Sequence, residues 1–354
     1  MTQASPVTGF RGVLIGCGFF ADNHLHAWHE IEGATIVAVC DRDRGKAEAA
    51  ALKHGIARVY DDAEAMLVAE RPDFVDVATT VQSHRPLVEL AARHGVPVIC
   101  QKPFAPSLAD AEAMVAACAR AGVPLMVHEN FRWQAPMQAA AAIIQSGAIG
   151  TPYFGRVSFR HDFDIYRKQP YLATDERFVI LDLGIHLIDV ARALFGEVVS
   201  LAARTASINP IVRGEDVATL LLGHAGGATS VVDCSFLAHR DPNPFPQTLL
   251  EIDGDEGSLL IGQDYALRLV TPAGTEMRSV APPPRAWADP PFEAVQDSVV
   301  NIERHWVECL RSGREPATSG RDNLRTLGLG FAAYDAAASG VTMHVGADGR
   351  IVSR

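Results

Sequence analysis

The sequence predicts an α/β chain in two parts: a doubly wound parallel sheet over residues 1–130 and a second α/β domain over residues 131–354. Three observations carry this reading. Short runs rich in valine and isoleucine alternate with helical segments as far as residue 130. Beyond it the runs lengthen, alternate more loosely and are divided by Gly/Asp turns. The chain of 354 residues also exceeds one ordinary core.

In the first part the apolar runs Gly12–Ile15, Thr35–Cys40, Phe74–Ala78, Val96–Cys100 and Pro124–His128 read as strands. Between them Ala21–Ile31, Arg44–His54, Ala63–Glu70, Pro86–His94 and Leu108–Ala121 carry helical spacing. Continuously apolar strands alternating with helices indicate a parallel sheet covered on both faces. Right-handed crossovers then make it doubly wound. In the second part Gln134–Gln145 reads as a helix, Tyr153–Asp162 as a strand and Leu181–Phe195 as a helix. Strands are expected at Val198–Ser207, Val217–Leu222, Thr229–Phe236, Thr248–Ile252, Ser258–Ile261 and Ala266–Thr271, with turns such as HAGGA and DGDEG favouring antiparallel hairpins. A proline-rich surface crossing, Pro282–Pro291, precedes two closing helices, Glu293–Ser312 and Arg321–Ser339.

Composition narrows the function classes. A net charge of −11 disfavours a nucleic-acid or anionic-membrane surface. The N-terminal MTQASPVTGFRG has no basic stretch followed by an apolar run, and no run reaches the roughly 18 apolar residues of a membrane span. A cytoplasmic location is the expectation. The six cysteines, Cys17, Cys40, Cys100, Cys118, Cys234 and Cys309, are scattered without CxxC spacing, as reduced and mostly buried thiols are; no metal is expected.

The first strand runs into Gly16-Cys17-Gly18-Phe19-Phe20-Ala21 and then a helix, the G-x-G-x-x-A dinucleotide fingerprint of a Rossmann sheet. Gly16 suits the tight turn. Gly18 lets main chain approach a pyrophosphate on the helix N-terminus, and Ala21 suits close packing of helix on strand. The second strand ends in Asp41, placed either to accept from the ribose hydroxyls or to act as a turn residue in CDRDR. As a ribose ligand it would repel a 2′-phosphate and so favour NAD over NADP, although the adjacent Arg42 relieves part of that repulsion.

Two further features suggest chemistry. Lys102-Pro103 directly follows the strand VPVIC, at the carboxyl edge where ligands bind in this architecture. It meets a ligand or carboxylate there, or it is a surface lysine at a strand end. Asp182 and His186 open an apolar helix at a spacing that puts them on one face about one turn apart. They are a polar pair in a cleft, or a helix cap and a packed core histidine.

Along its whole length the chain resembles the glucose–fructose oxidoreductase and inositol dehydrogenase (Gfo/Idh/MocA) family. The resemblance lies in the order of GCGFFA, the acidic end of the second strand, ATTVQSH (Ala78–His84), QKP (Gln101–Pro103), NFRWQ (Asn130–Gln134) and DLGIH (Asp182–His186). It implies a Rossmann domain followed by a C-terminal α/β domain with an open, mostly antiparallel sheet, often buried in a homodimer or homotetramer. It also implies that Lys102, Asp182 and His186 are catalytic. His186 would be the general base, since imidazole takes up a hydroxyl proton near neutral pH. Lys102 would lower the cost of negative charge on the reacting oxygen. Asp182 would hold the sugar or orient the histidine. The implied NAD contacts are Gly16, Gly18, Phe19, Phe20, Asp41, Arg42, Thr79, Thr80, Gln82, His84, Gln101, Lys102, Asn130 and Arg132. In one departure, the family usually has glutamate before the lysine and this chain has Gln101, which keeps a hydrogen bond but supplies no charge.

Arg160, His161, Asp162 and Asp164 follow the first strand of the second domain. Arg160 and Asp162 are the expected sugar contacts beside Lys102, Asp182 and His186, since mixed polar groups suit a polyhydroxylated substrate. GVLIGCGFFA, QKPFA and HENFRWQ place the likeness nearest a branch that oxidises a branched pentose to its lactone, with inositol, xylose or another aldose as alternatives. An NAD-dependent glycosidase and a non-catalytic NAD-binding regulator are the competing readings. The presence of Lys102, Asp182 and His186 argues against the regulator.

Overall fold

The computed structural model describes residues 9–346 and 349–352. Its first sheet joins β1 (Phe10–Ile15), β2 (Ala34–Cys40), β3 (Arg58–Tyr60), β4 (Phe74–Val77), β5 (Val98–Gln101) and β6 (Leu125–His128). The strands are all parallel, in the order β3-β2-β1-β4-β5-β6. This is the doubly wound order with its crevice between β1 and β4. Helices α1 (Ala21–Trp28), α2 (Arg44–His54), α3 (Ala63–Glu70), α4 (His84–Arg93) and α5 (Leu108–Ala121) connect the strands. Their ends follow local chemistry. Asp43, Asp62 and Ser107 each accept a main-chain N–H of the first turn, while Gly55 and Gly122 close α2 and α5 in the left-handed region.

The second sheet is larger and mixed. After α6 (Ala135–Gln145) come β7 (Pro152–Arg160), α7 (Ile185–Phe195), β8 (Val198–Ala206), β9 (Val217–His224), β10 (Thr229–Ser235), β11 (Leu249–Gly254), β12 (Ser258–Ile261), β13 (Ala266–Thr271) and β14 (Gly274–Ser279). Helices α8 (Glu293–Ser312) and α9 (Gly320–Ser339) precede two short strands, β15 (Met343–Val345) and β16 (Ile351–Val352). The order is β14-β13-β12-β11-β7-β10-β9-β8-β15-β16, antiparallel except between β7 and β10. Registry sorts its two faces. Leu220, Val232, Val157, Leu250, Ile261 and Leu267 form one cross-strand row, each at most 1% exposed. The neighbouring row, Leu221, Val231, Arg156, Glu251, Leu260, Arg268 and Met277, lies on the open face. Such alternation is what a sheet with one covered face requires.

The chain forms two compact units. One runs to Glu129 and takes in Val299–Leu324; the other comprises Asn130–Ser298 and everything from Arg325. The sequence predicts a single break after residue 130, whereas the chain returns to the first unit for most of α8 and the start of α9. That return finishes the first sheet. Val127 N–H donates to the Thr318 carbonyl (2.8 Å), Thr318 Oγ1 donates to the Val127 carbonyl (2.8 Å), and Met126 bridges to Ser319.

Strands β3, β14, β15 and β16 are absent from the sequence reading for a common reason. Arg58–Tyr60 is a three-residue edge strand, every residue of Gly274–Ser279 is exposed, and the last two strands have three and two residues. None has a buried face long enough to impose a period on the sequence. Among the described residues no helix is long and apolar enough to cross a membrane.

Candidate active site

The first unit supplies a main-chain cradle. Gly16 has φ +97°, and a Cβ there would meet the Ala78 carbonyl oxygen at 2.6 Å and Thr79 Cγ2 at 2.7 Å. Only glycine fits between β1 and the end of β4. A Cβ on Gly18 meets nothing within 4 Å, the open approach that a pyrophosphate needs. Ala21, 1% exposed, seats α1 on the sheet. Asp41 ties the cradle together. Its Oδ2 accepts from Cys17 N–H (2.8 Å) and its Oδ1 from Asp43 N–H (2.9 Å), with acceptor capacity left on both oxygens. Burial and then Asp41 push the Cys17 thiol up to about 12, so this cysteine stays a thiol beside the turn. These residues fit an NAD adenosine and pyrophosphate, with Phe19 exposed above the helix start and Arg42 exposed beside Asp41.

On the other side of the crevice Thr80 and Gln82 are exposed and Thr79 is half-buried, its Oγ1 accepting from Ser83 Oγ (2.8 Å). His84, expected beside the ribose, is fully buried instead. Its ring nitrogens lie 3.1 Å from the Phe104 and Thr79 carbonyls, so it braces this loop from behind. Lys102, half-buried at the end of β5, donates its main-chain N–H to Gln101 Oε1 (2.6 Å).

In the second unit Phe178 to Phe195 starts irregularly. Ile180–Gly184 makes one π turn before α7, and Asp182 lies within that turn. A π turn is wider than an α turn, which rotates Asp182 away from its α-helical position relative to His186. The cap of this helix is not Asp182. Buried Glu215 accepts from the N–H groups of Phe178 (3.2 Å) and Ile180 (3.1 Å), and its Oε1 also accepts from Tyr334 O–H (2.6 Å). A carboxylate thus occupies the donor end of the helix that carries both candidate residues. Burial first and Asp182's charge second raise Asp175 and push Tyr171 up to about 12, while Tyr166, raised mainly by burial and Asp216, also feels that charge.

His186, 4% exposed, stacks flat on Phe131 with ring centres 3.9 Å apart and planes 5° apart. Phe131 is held in turn by its neighbours. Arg132 forks onto Asp189 at 2.6 and 2.5 Å, and Asn130 Nδ2 donates to Ser298 Oγ at 2.6 Å. The NFRW segment is thus pinned to α7 and α8, and through Phe131 it fixes the plane of the His186 ring. Arg160 approaches Asp233 (3.7 Å), while Asp162 accepts from His239 (2.6 Å) and Asn243 (2.5 Å). His161, fully buried among Phe159, Phe236 and Phe245, is lowered by burial to about 3, and its Nδ1 accepts from Phe163 N–H. It is a neutral packed histidine.

Glu215 was not legible in the sequence as a site-building residue. Its only signal is the Glu215-Asp216 pair entering the apolar strand VATLLL, and its partner main chain is 35 to 37 residues away. Phe131 lies inside the matched NFRWQ motif, but nothing in the sequence links it to a residue 55 positions later.

Known proteins match both parts of the chain. Residues 10–129 match the NAD-binding Rossmann fold of the GFO/IDH/MocA oxidoreductases and residues 137–260 match that family's C-terminal domain. A D-apiose dehydrogenase of Paraburkholderia graminis is 60% identical over 96% of this chain and 91% of the relative. A D-apiose dehydrogenase of Rhizobium rhizogenes is 52% identical over 96% of this chain and 99% of the relative. The crystal structure of an Agrobacterium radiobacter oxidoreductase in complex with NAD+, L-tartaric acid and magnesium superposes with a TM-score of 0.94 at 52% identity, covering 95% of this chain and 98% of that one. With the glycine cradle, the sheet order and both matched domains in agreement, the chain belongs to the GFO/IDH/MocA family of NAD-binding oxidoreductases.

Proposed function

We propose that this oxidoreductase oxidises D-apiose, a branched pentose, to its lactone with NAD. The observation that carries the substrate is the high identity, over nearly the whole chain, to two D-apiose dehydrogenases. NAD, when bound, supplies the hydride acceptor. His186 takes the proton of the reacting hydroxyl as the C–H hydride leaves, its ring held in one plane by Phe131. Lys102 stabilises the developing negative charge on that oxygen. Asp182 orients the sugar or the histidine, and Arg160 and Asp162 contact the sugar hydroxyls. Gly16, Gly18, Phe19, Phe20, Asp41, Arg42, Thr79, Thr80, Gln82 and Gln101 line the cofactor. In this reading Asn130 and Arg132 serve the site by holding their loop.

Absorbance of NADH, with purified protein, NAD and a panel of pentoses, hexoses and inositols that includes D-apiose, tests the proposal. The expected result is turnover with D-apiose that falls at least about 100-fold in Lys102→Ala and in His186→Ala, the scale of a lost acid–base or charge-stabilising group. No reduction of NAD by any sugar, in a protein that binds NAD, overturns it in favour of a glycosidase or a regulator. We read the open sheet face, with Leu221, Leu260 and Met277 exposed, as the contact of a homodimer or homotetramer. A monomer mass by light scattering refutes that assembly.

A further inference from the structure

The first unit holds a buried polar cluster that takes no part in the proposed hydride transfer. His24 on α1, Asp76 on β4, His128 on β6 and Glu303 on α8 are all 0% exposed, and Gln101 on β5 is 6% exposed. Among the described residues no lysine or arginine pairs with either carboxylate; the ion pairs are with histidine. Besides these groups, His24 faces Phe20, with ring centres 5.5 Å apart.

Hydrogen-bond direction fixes every proton along one path. The Lys102 main-chain N–H can only donate, so the Gln101 atom 2.6 Å away is its carbonyl oxygen. The other end of that amide is then NH2, and it lies 3.2 Å from His24 Nε2, which must offer a lone pair. The ring proton therefore sits on Nδ1, 2.8 Å from Asp76 Oδ2. That oxygen also accepts from Trp28 Nε1–H at 2.8 Å, so Asp76 is the acceptor that ends the path. We propose that Gln101, His24 and Asp76 form a directed hydrogen-bond chain that positions the peptide of Lys102, with His24 held neutral as its Nδ1–H tautomer. The proposal rests on the reading of Lys102 as the site lysine.

Glu303 lies beside the chain, not in it. Its Oε1 is 3.6 Å from His24 Nδ1 and 3.9 Å from His128 Nε2, and burial, then the charge of Asp76, pushes its carboxyl well up. His24, His128 and Glu303 lie close enough to suggest a metal. Zinc, however, needs the bare nitrogen that faces it, and Nδ1 sits at hydrogen-bond distance from Asp76 while Nε2 faces an amide.

The chain also gives a reason for glutamine at position 101. A glutamate there accepts the Lys102 N–H on one oxygen and needs a donor opposite the other. His24 would have to carry protons on both nitrogens, an imidazolium between two carboxylates. Glutamine is the residue that lets His24 stay neutral.

Histidine ring-nitrogen NMR on the intact 15N-labelled protein, combined with kinetics, tests this. We expect His24 to show a protonated Nδ1 and a bare Nε2. Gln101→Glu should convert it to the doubly protonated form. Gln101→Leu should keep the tautomer while kcat/KM for sugar oxidation falls roughly 10-fold, the scale of one lost hydrogen bond. An Nε2–H tautomer or an imidazolium in the unmodified protein overturns the proposal even if Gln101→Glu fails to fold. So does a stoichiometric transition metal found by elemental analysis. A wrong tautomer in an active enzyme sinks only this chain. The expected tautomer in a protein that oxidises no sugar sinks the dehydrogenase reading and leaves the chain standing.

Discussion

In the first unit β4, β5 and β6 are buried at every position, whereas β9 of the second alternates buried and exposed residues almost throughout. A sheet covered on both faces has only its strand ends free for a ligand, so the first unit builds its site from turns, and turns are governed by glycine. The second sheet has a face to spare. Its site stands on a helix packed against the sheet, and that helix is set by a side chain from a distant loop. One site is therefore main-chain geometry and local; the other is side-chain positioning and long-range.

Replacing Gly16 by valine gives the largest effect. A Cβ 2.6 Å from a carbonyl oxygen at φ +97° leaves no relaxed arrangement, and strain of roughly 3 kcal/mol means about 100-fold weaker NAD binding by calorimetry. NAD affinity within threefold of the parent protein would show that the cradle is not what holds the cofactor. Glu215→Gln is the reverse case. The amide keeps one acceptor oxygen and turns an NH2 toward a main-chain N–H, at a cost of about 1–3 kcal/mol. Denaturation should show that loss, and kcat/KM for the sugar should fall about 10-fold with NAD affinity unchanged. A parallel loss of NAD affinity would erase the distinction between the two sites.

Legibility in the sequence follows the same division. Gly16, Gly18 and Asp41 were readable because a tight turn and a strand-end carboxylate are local requirements. Lys102, Asp182 and His186 could be located, but not their settings. The Glu215 cap spans 37 residues, the His24–Asp76 bond 52 and the His24–Gln101 contact 77. The π turn occupies five residues, Ile180–Gly184, too few to imprint a period. His84 shows the limit from the other side. It lies within a matched motif, yet its role follows from the Phe104 carbonyl 20 residues later.

The smallest effect is a matter of pH. Buried His161 stays neutral in the fold until about pH 3, whereas an unfolded chain protonates its histidines near 6.5. Its contribution is therefore intact above about pH 6.5 and is lost as pH falls toward 3, because the unfolded state binds the extra proton. Between pH 6.5 and 5.5 the loss should reach roughly 1 kcal/mol. Thermal melts of His161→Asn should lose about that much of the slope, and an unchanged slope would mean that His161 takes up its proton as readily in the fold as in the unfolded chain.

The hydrogen bonds between Val127 and Thr318 join residues 191 positions apart, and this has a bearing on how the protein is made. Every strand of the first sheet has left the ribosome soon after His128, yet its last edge stays unsealed until Thr318 and Ser319 emerge. At about 5–20 residues per second, that interval lasts roughly 10–40 s. For that time the nascent sheet offers a bare strand edge to any neighbouring chain. Fragments that stop near the first chain crossing keep that edge for good, so exchanging the cofactor unit between relatives requires moving two separated gene segments together.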